Sequence, residues 1–141
     1  MKNKNIFVFG NGGSAAIADH FAVDMTKNAN KRTFSLNTSP LITCLSNDYG
    51  YELWMQKALE MYAQSGDIVF LISSSGNSKN VINAIIEANN LGMFCIGLTG
   101  KDGGMMNNKC DILIKIPSDN IARIQETHIL IGHIICLNSE S

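Results

Sequence analysis

The sequence predicts a doubly wound α/β domain: a five-stranded parallel sheet flanked by helices. Two observations carry this. The apolar runs IFVF (6–9), IVFLI (68–72) and FCIGL (94–98) are continuous rather than alternating, as strands buried on both faces of a parallel sheet must be. Helical patterns separate them, and strand alternating with helix is the pattern of βαβ units.

The elements follow in order. Residues 6–9 form the first strand and run into the glycine-rich turn GNGGS (10–14), which opens a helix over 14–27. TFSL (33–36) is a weaker strand, placed nearer an edge, with a short helix at 40–46 and another helix at 51–64. The strand at 68–72 ends in SSSGNS (73–78), which opens a helix over 78–91. The strand at 94–98, a weaker edge strand ILIKI (112–116) and a helix over 119–138 complete the set. The expected strand order is 2-1-3-4-5, as in flavodoxin-like folds, and it makes the first and third strands neighbours at the topological switch point. Both small-residue turns then face one crevice. The 141 residues suit a single domain with no repeat, linker or low-complexity segment.

Composition excludes several classes. Eleven Lys and Arg stand against twelve Asp and Glu, so nothing resembles the clustered cations that nucleic acid demands. KNANKR (27–32) is the only basic cluster and reads as a solvated connection. No apolar stretch approaches the ~20 residues of a membrane span. The start, MKNKNIFVFG, leads directly into the glycine turn and is too short for a signal peptide. Cys44, Cys95, Cys110 and Cys136 form no C-x-x-C, which excludes a zinc ribbon and fits reduced thiols in a cytoplasmic protein.

Gly10, Gly12 and Ala15 satisfy G-x-G-x-x-G/A, the dinucleotide fingerprint. That reading also needs an acidic residue ~20 positions on, at the end of the second strand. Asn37 and Thr38 stand there instead. A single phosphate suits both turns better. Helix-start N–H groups with small hydroxyl side chains make an anion site without a lysine. Ser73, Ser75 and Ser78 can donate to phosphate oxygens while Gly76 admits the backbone. A plain helix cap would need one serine, whereas this turn has four in six residues.

A polar set lies on two helices. His20 and Asp24 are four apart and share a face. Gln125 and His133 are eight apart, about two turns, and share another, with Gly132 leaving space for a ligand between them. His128 is expected at the edge of that polar face, and Ile124, Ile131 and Ile135 on the opposite, core face. The polar set could bind a divalent metal, zinc above all, could move a proton as acid and base, or could be ordinary surface.

The segments GNGGSAAIADHFAVDM, SNDYG, ISSSGNSKNV, LTGKDGG and RIQETHILIGHIIC together resemble the SIS (sugar isomerase) domain, and most closely the sedoheptulose 7-phosphate isomerase (phosphoheptose isomerase) family, from Val8 to Leu137. The resemblance implies a single SIS domain over residues 1–141 that lacks most of the family's N-terminal helical segment. It implies that Asn11, Gly12, Ser14, Asp48, Ser73, Ser74, Ser75, Ser78 and Gln125 bind the sugar phosphate. It puts His20, Asp24, Gln125 and His133 at the positions of one zinc ion, and Asp24 and His133 at those of base and acid. The implied reaction converts sedoheptulose 7-phosphate to D-glycero-D-manno-heptose 7-phosphate through an enediol. That step belongs to cytoplasmic supply of heptose for bacterial lipopolysaccharide and capsule, carried out by a homotetramer with sites at subunit interfaces. The alternatives it leaves are a non-catalytic SIS regulator of the replication-initiator-associating type and an isomerase of another phosphosugar. Asp24 departs from the family's usual Glu, shortening the reach by roughly 1.5 Å.

Overall fold

The computed structural model describes residues 3–140. Its sheet contains β1 (Ile6–Phe9), β2 (Thr33–Phe34), β3 (Ile68–Ser73), β4 (Phe94–Gly100) and β5 (Ile112–Ile116). The order is β2-β1-β3-β4-β5 and every pairing is parallel, as expected. The helices are α1 (Gly13–Lys27), α2 (Ser39–Tyr49), α3 (Trp54–Tyr62), α4 (Lys79–Leu91) and α5 (Ile121–Ser139).

Strand alternation sorts the core into two layers. Phe7, Phe9, Val69 and Leu71 pack against Met55 and Leu59 of α3 and Val81 and Ile85 of α4. Ile6, Val8, Phe70 and Ile72 pack against Ile17, Phe21 and Met25 of α1 and Cys136 of α5. β1 and β3 are buried on both sides, which is why their sequences are unbroken apolar runs. All four cysteines are unpaired. No helix among the described residues is long and apolar enough to cross a membrane.

Three elements differ from expectation. β2 is two residues long because Leu36 adopts φ 53°, which turns the chain out of the strand. The helix expected over 51–64 breaks into a 3-10 turn, Tyr51–Leu53, and α3, since Gly50 at φ 104° ends α2 immediately before it. α2 is longer than 40–46, with Pro40 in its first turn, where no backbone N–H is required.

His128 is a correction. It is fully buried rather than peripheral, and its Nε2 lies 3.0 Å from the Thr99 carbonyl. A carbonyl only accepts, so Nε2 carries the proton and Nδ1 is the bare lone pair, buried without a partner. Burial holds the His128 pKa below its ordinary value, against the smaller opposing pull of the Thr99 bond. The unfolded chain therefore binds a proton near pH 6.5 that the folded chain refuses. Stability from this residue is present above pH 6.5 and is lost as pH falls, at up to about 1.4 kcal/mol per pH unit for one proton. His128→Gln keeps a donor for Thr99 and cannot titrate. Melting temperatures followed from pH 7.5 to 5.5 should fall less steeply for His128→Gln than for the native chain, and parallel slopes would refute the assignment.

Candidate active site

The two turns meet at the carboxyl ends of β1 and β3, adjacent strands at the switch point. In the first, Gly10 touches the backbone of Ser14, where a Cβ would stand 2.7 Å from it. Gly12, at φ 54°, opens α1 with no side-chain cap, and a Cβ there would meet nothing within 4 Å. The first turn of α1 thus borders open space. Ser14 is buried, its N–H donating to the Asn11 carbonyl at 2.9 Å.

The serine turn is held by its own hydroxyls. Ser73 Oγ accepts from the Gly76 N–H at 3.2 Å and lies 3.0 Å from Ser78 Oγ. Ser75 Oγ accepts from the Asn77 N–H at 3.1 Å. Ser78 occupies the cap position of α4 yet makes no side-chain cap bond; its hydroxyl engages Ser73 instead. The simple capping explanation of these serines is therefore not what the turn does. Ser74 Oγ is buried without a partner among the described residues.

A contact that sequence reasoning missed joins the two turns. Asn11 and Asn80 pair their carboxamides reciprocally, each Nδ2 donating to the other's Oδ1 at 2.9 Å. Tyr51 also donates its hydroxyl to Asn11 Oδ1 at 2.9 Å. The only sequence signal was the position of Asn80 in the first turn of α4, at the switch point.

The polar set on α1 and α5 converges. His20 Nε2 lies 3.0 Å from Asp24 Oδ2 and 3.1 Å from His133 Nε2, and Asp24 Oδ2 lies 3.7 Å from His133 Nε2. One ligand atom from each residue falls within 4.8 Å of the others. Tetrahedral zinc with bonds of about 2.0–2.1 Å separates its ligand atoms by about 3.3 Å, so the donor types and spacing fit that ion. The shorter Asp24 reaches the cluster on its own helix. Gln125, half-buried, sits elsewhere on α5: its amide lies over Gly13, where a Cβ would stand 2.7 Å from Nε2. Gly132 borders a small pocket with His20, Asp24 and His133, the space expected of it. A Cβ there would stand 3.2 Å from the Phe21 ring, so this glycine lets α5 approach α1. Asp48 is exposed on α2 and its hydrogen-bond partners, Cys44 and Asn47, belong to the same helix.

This is a parallel sheet whose glycine-rich and serine-rich turns meet at its switch point, and residues 1–100 match the SIS domain family. The chain is 48% identical to the phosphoheptose isomerase of Aliarcobacter butzleri, across 96% of this chain and 76% of that protein. It is 46% identical to the phosphoheptose isomerase of Nitratiruptor sp., with the same coverage. The phosphoheptose isomerase structure from Neisseria gonorrhoeae superposes with a TM-score of 0.93 at 39% identity, covering 99% of this chain and 77% of that one. The phosphoheptose isomerase from Francisella tularensis gives 0.90 at 37%, covering 94% and 73%. The chain therefore belongs to the phosphoheptose isomerase family of SIS-domain sugar-phosphate isomerases.

Proposed function

We infer that the chain converts sedoheptulose 7-phosphate to D-glycero-D-manno-heptose 7-phosphate, a step supplying heptose for bacterial surface glycans. The observation that supports this is the glycine turn at the start of α1 together with the His20–Asp24–His133 cluster two turns along the helix. From Gly13 to His20 is seven residues, about 10 Å of helix. An extended seven-carbon chain with a terminal phosphate is of that order too, counted in ordinary bond lengths.

In this reading the N–H groups beside Gly12 and the hydroxyls of Ser14, Ser73, Ser75 and Ser78 receive the phosphate end, with Ser74 in the same loop. Asn11, Asp48 and Gln125 address sugar hydroxyls. The sugar's reactive end lies against Asp24 and His133. The reaction moves a proton between C1 and C2, so one group must take it from one carbon and return it to the other. Asp24 turns Oδ2 to the histidines, leaving Oδ1 to hold that proton. His133 presents a single nitrogen, Nε2, to the cluster, so it is either a proton donor beside Asp24 or a metal ligand, not both at once. His20, Asp24 and His133 would hold zinc, joined by Gln125 if its side chain turns from Gly13; a bound zinc ion supplies polarisation of the sugar's carbonyl and hydroxyl oxygens.

The cluster lies open. The His20 side chain is 60% exposed and that of His133 46%, and exposed Val23, Leu130 and Ile134 lie on the same two helices. An enediol needs protection from water. We assign that cover to neighbouring subunits of a homotetramer. The expected setting is the cytoplasm, where sugar phosphates are made.

The test is product formation from sedoheptulose 7-phosphate, followed by NMR with zinc present, for the native chain and for Asp24→Glu and Asp24→Asn. The native chain should turn over. Asp24→Asn should lose roughly 10²–10⁴-fold, the usual worth of a general base. No product from the native chain, with product from Asp24→Glu, would show that the shorter carboxylate is incompetent. Silence from both would favour a phosphosugar-binding regulator or another substrate.

A further inference from the structure

We propose that Asn80 and Tyr51 are positioning residues that fix the Asn11 carboxamide so that one of its N–H bonds is reserved for the sugar phosphate. The proposal rests on the isomerase reading for the identity of that ligand, but its geometry stands apart from it.

A carboxamide can be turned by half a rotation with little change in shape, exchanging donor for acceptor. An isolated Asn11 would offer a ligand either. Here the choice is dictated from the backbone. The Val81 N–H can only donate, and it donates to Asn80 Oδ1 at 2.9 Å. Asn80, only 3% exposed, must therefore turn its Nδ2 to Asn11, which makes the facing atom of Asn11 its oxygen. Asn11 Nδ2 in turn donates to Asn80 Oδ1, and the Tyr51 hydroxyl donates to Asn11 Oδ1. Asn11 Oδ1 thus accepts two bonds, while Asn11 Nδ2 spends one of its two hydrogens. The other hydrogen is the one left for an oxygen of the ligand.

Two further contacts stiffen this arrangement. Asn83 Nδ2 donates to the Glu52 carbonyl at 2.9 Å, tying α4 to the 3-10 turn that carries Tyr51. Gly50, at φ 104°, fixes the approach of that turn. The β1–α1 turn, the start of α4 and the segment after α2 are consequently one hydrogen-bonded unit, although Asn11 and Asn80 are 69 residues apart. Preorganised donors avoid reorientation when ligand arrives.

Two variants and one spectroscopic measurement test it. Tyr51→Phe removes one donor from an exposed side chain and should raise KM for sedoheptulose 7-phosphate about fivefold, with kcat within twofold, as expected for one lost hydrogen bond that orients a binding group. Asn80→Asp is more diagnostic. Ionised, its carboxylate repels Asn11 Oδ1; protonated, it reproduces the donor and acceptor of the amide. Burial raises the pKa of such an acid. The ratio of its KM to the native KM should therefore be large at pH 8, on the order of tenfold or more for a repelled polar pair, and should shrink as pH falls to 5.5. A raised ratio that stays flat with pH would make Asn80 merely structural and would overturn the proposal, as would native KM values for both variants. Side-chain amide NMR of the native protein needs no turnover. One Asn11 Nδ2 proton should be protected from exchange and the other free, with protection weakened in Tyr51→Phe. Two equally exchanging protons would overturn the proposal even if the enzyme is active. Absence of turnover with one protected proton would sink the isomerase reading and leave the positioning intact.

Discussion

Replacing His133 with alanine should lower isomerisation by about 10²–10⁴-fold while leaving the fold standing. The side chain is 46% exposed, and its contacts run to His20 and Asp24 rather than to the core. Substitutions of that kind usually change stability by no more than about 0.5 kcal/mol. The same variant should retain far less zinc after purification without chelators, because a three-residue cluster loses a nitrogen ligand. His20→Ala should match it in zinc content. Metal analysis and turnover together decide the matter: full zinc with a rate within tenfold of native would remove His133 from both roles.

Gly76→Ala should produce the largest structural loss. Gly76 sits at φ 73°, where a side chain is strained, at roughly 1–2 kcal/mol. The added Cβ would also press on the Gly103 carbonyl, 2.6 Å from its carbon, and lie 3.0 Å from Thr99 Oγ1. Neither neighbour is a flexible tip. Gly103 is itself at φ 87°, and the turn it begins returns Met106, fully buried, to bond the Gly76 carbonyl at 3.2 Å. The serine turn and this second turn must move together. A loss of about 3 kcal/mol, or on the order of 10 °C in melting temperature, is expected, along with weakened phosphate binding. Gly12→Ala is the comparison. It shares the positive φ but meets no atom within 4 Å, so it should bear the strain alone. Equal losses from the two variants would show that the contact with Gly103 carries nothing.

Much of this was legible in the sequence, for identifiable reasons. β1, β3 and β4 were readable because burial on both faces leaves no polar alternation. The His20–Asp24 pair was readable because helical period places residues four apart on one face. His128 was also readable in principle. Ile124, His128, Ile131 and Ile135 fall at the i, i+4, i+7, i+11 spacing of a core stripe, and the polarity of histidine obscured that period. Gly132 was half legible: the space beside the cluster could be read from its place between polar residues, but the close approach to α1 could not be read until the Phe21 ring was placed. The meeting of the two turns was legible from the expected strand order, but the Asn11–Asn80 pair was not, because the position of Asn80 at the switch point does not say which side chain across the crevice it will bond. Tyr51 was hidden for a related reason, because the break at Gly50 turned an expected helix position into a 3-10 turn.

The cluster on α1 and α5 has a consequence for the order of synthesis. His20 and His133 are separated by 113 residues. A ribosome delivers His20 and Asp24 while four strands have yet to follow β1, and His133 only with α5. A nascent chain therefore cannot bring the three side chains together before α5 is made. On the zinc reading proposed above, capture of the ion would report that α5 has docked on α1, since a product lacking α5 would offer it only His20 and Asp24.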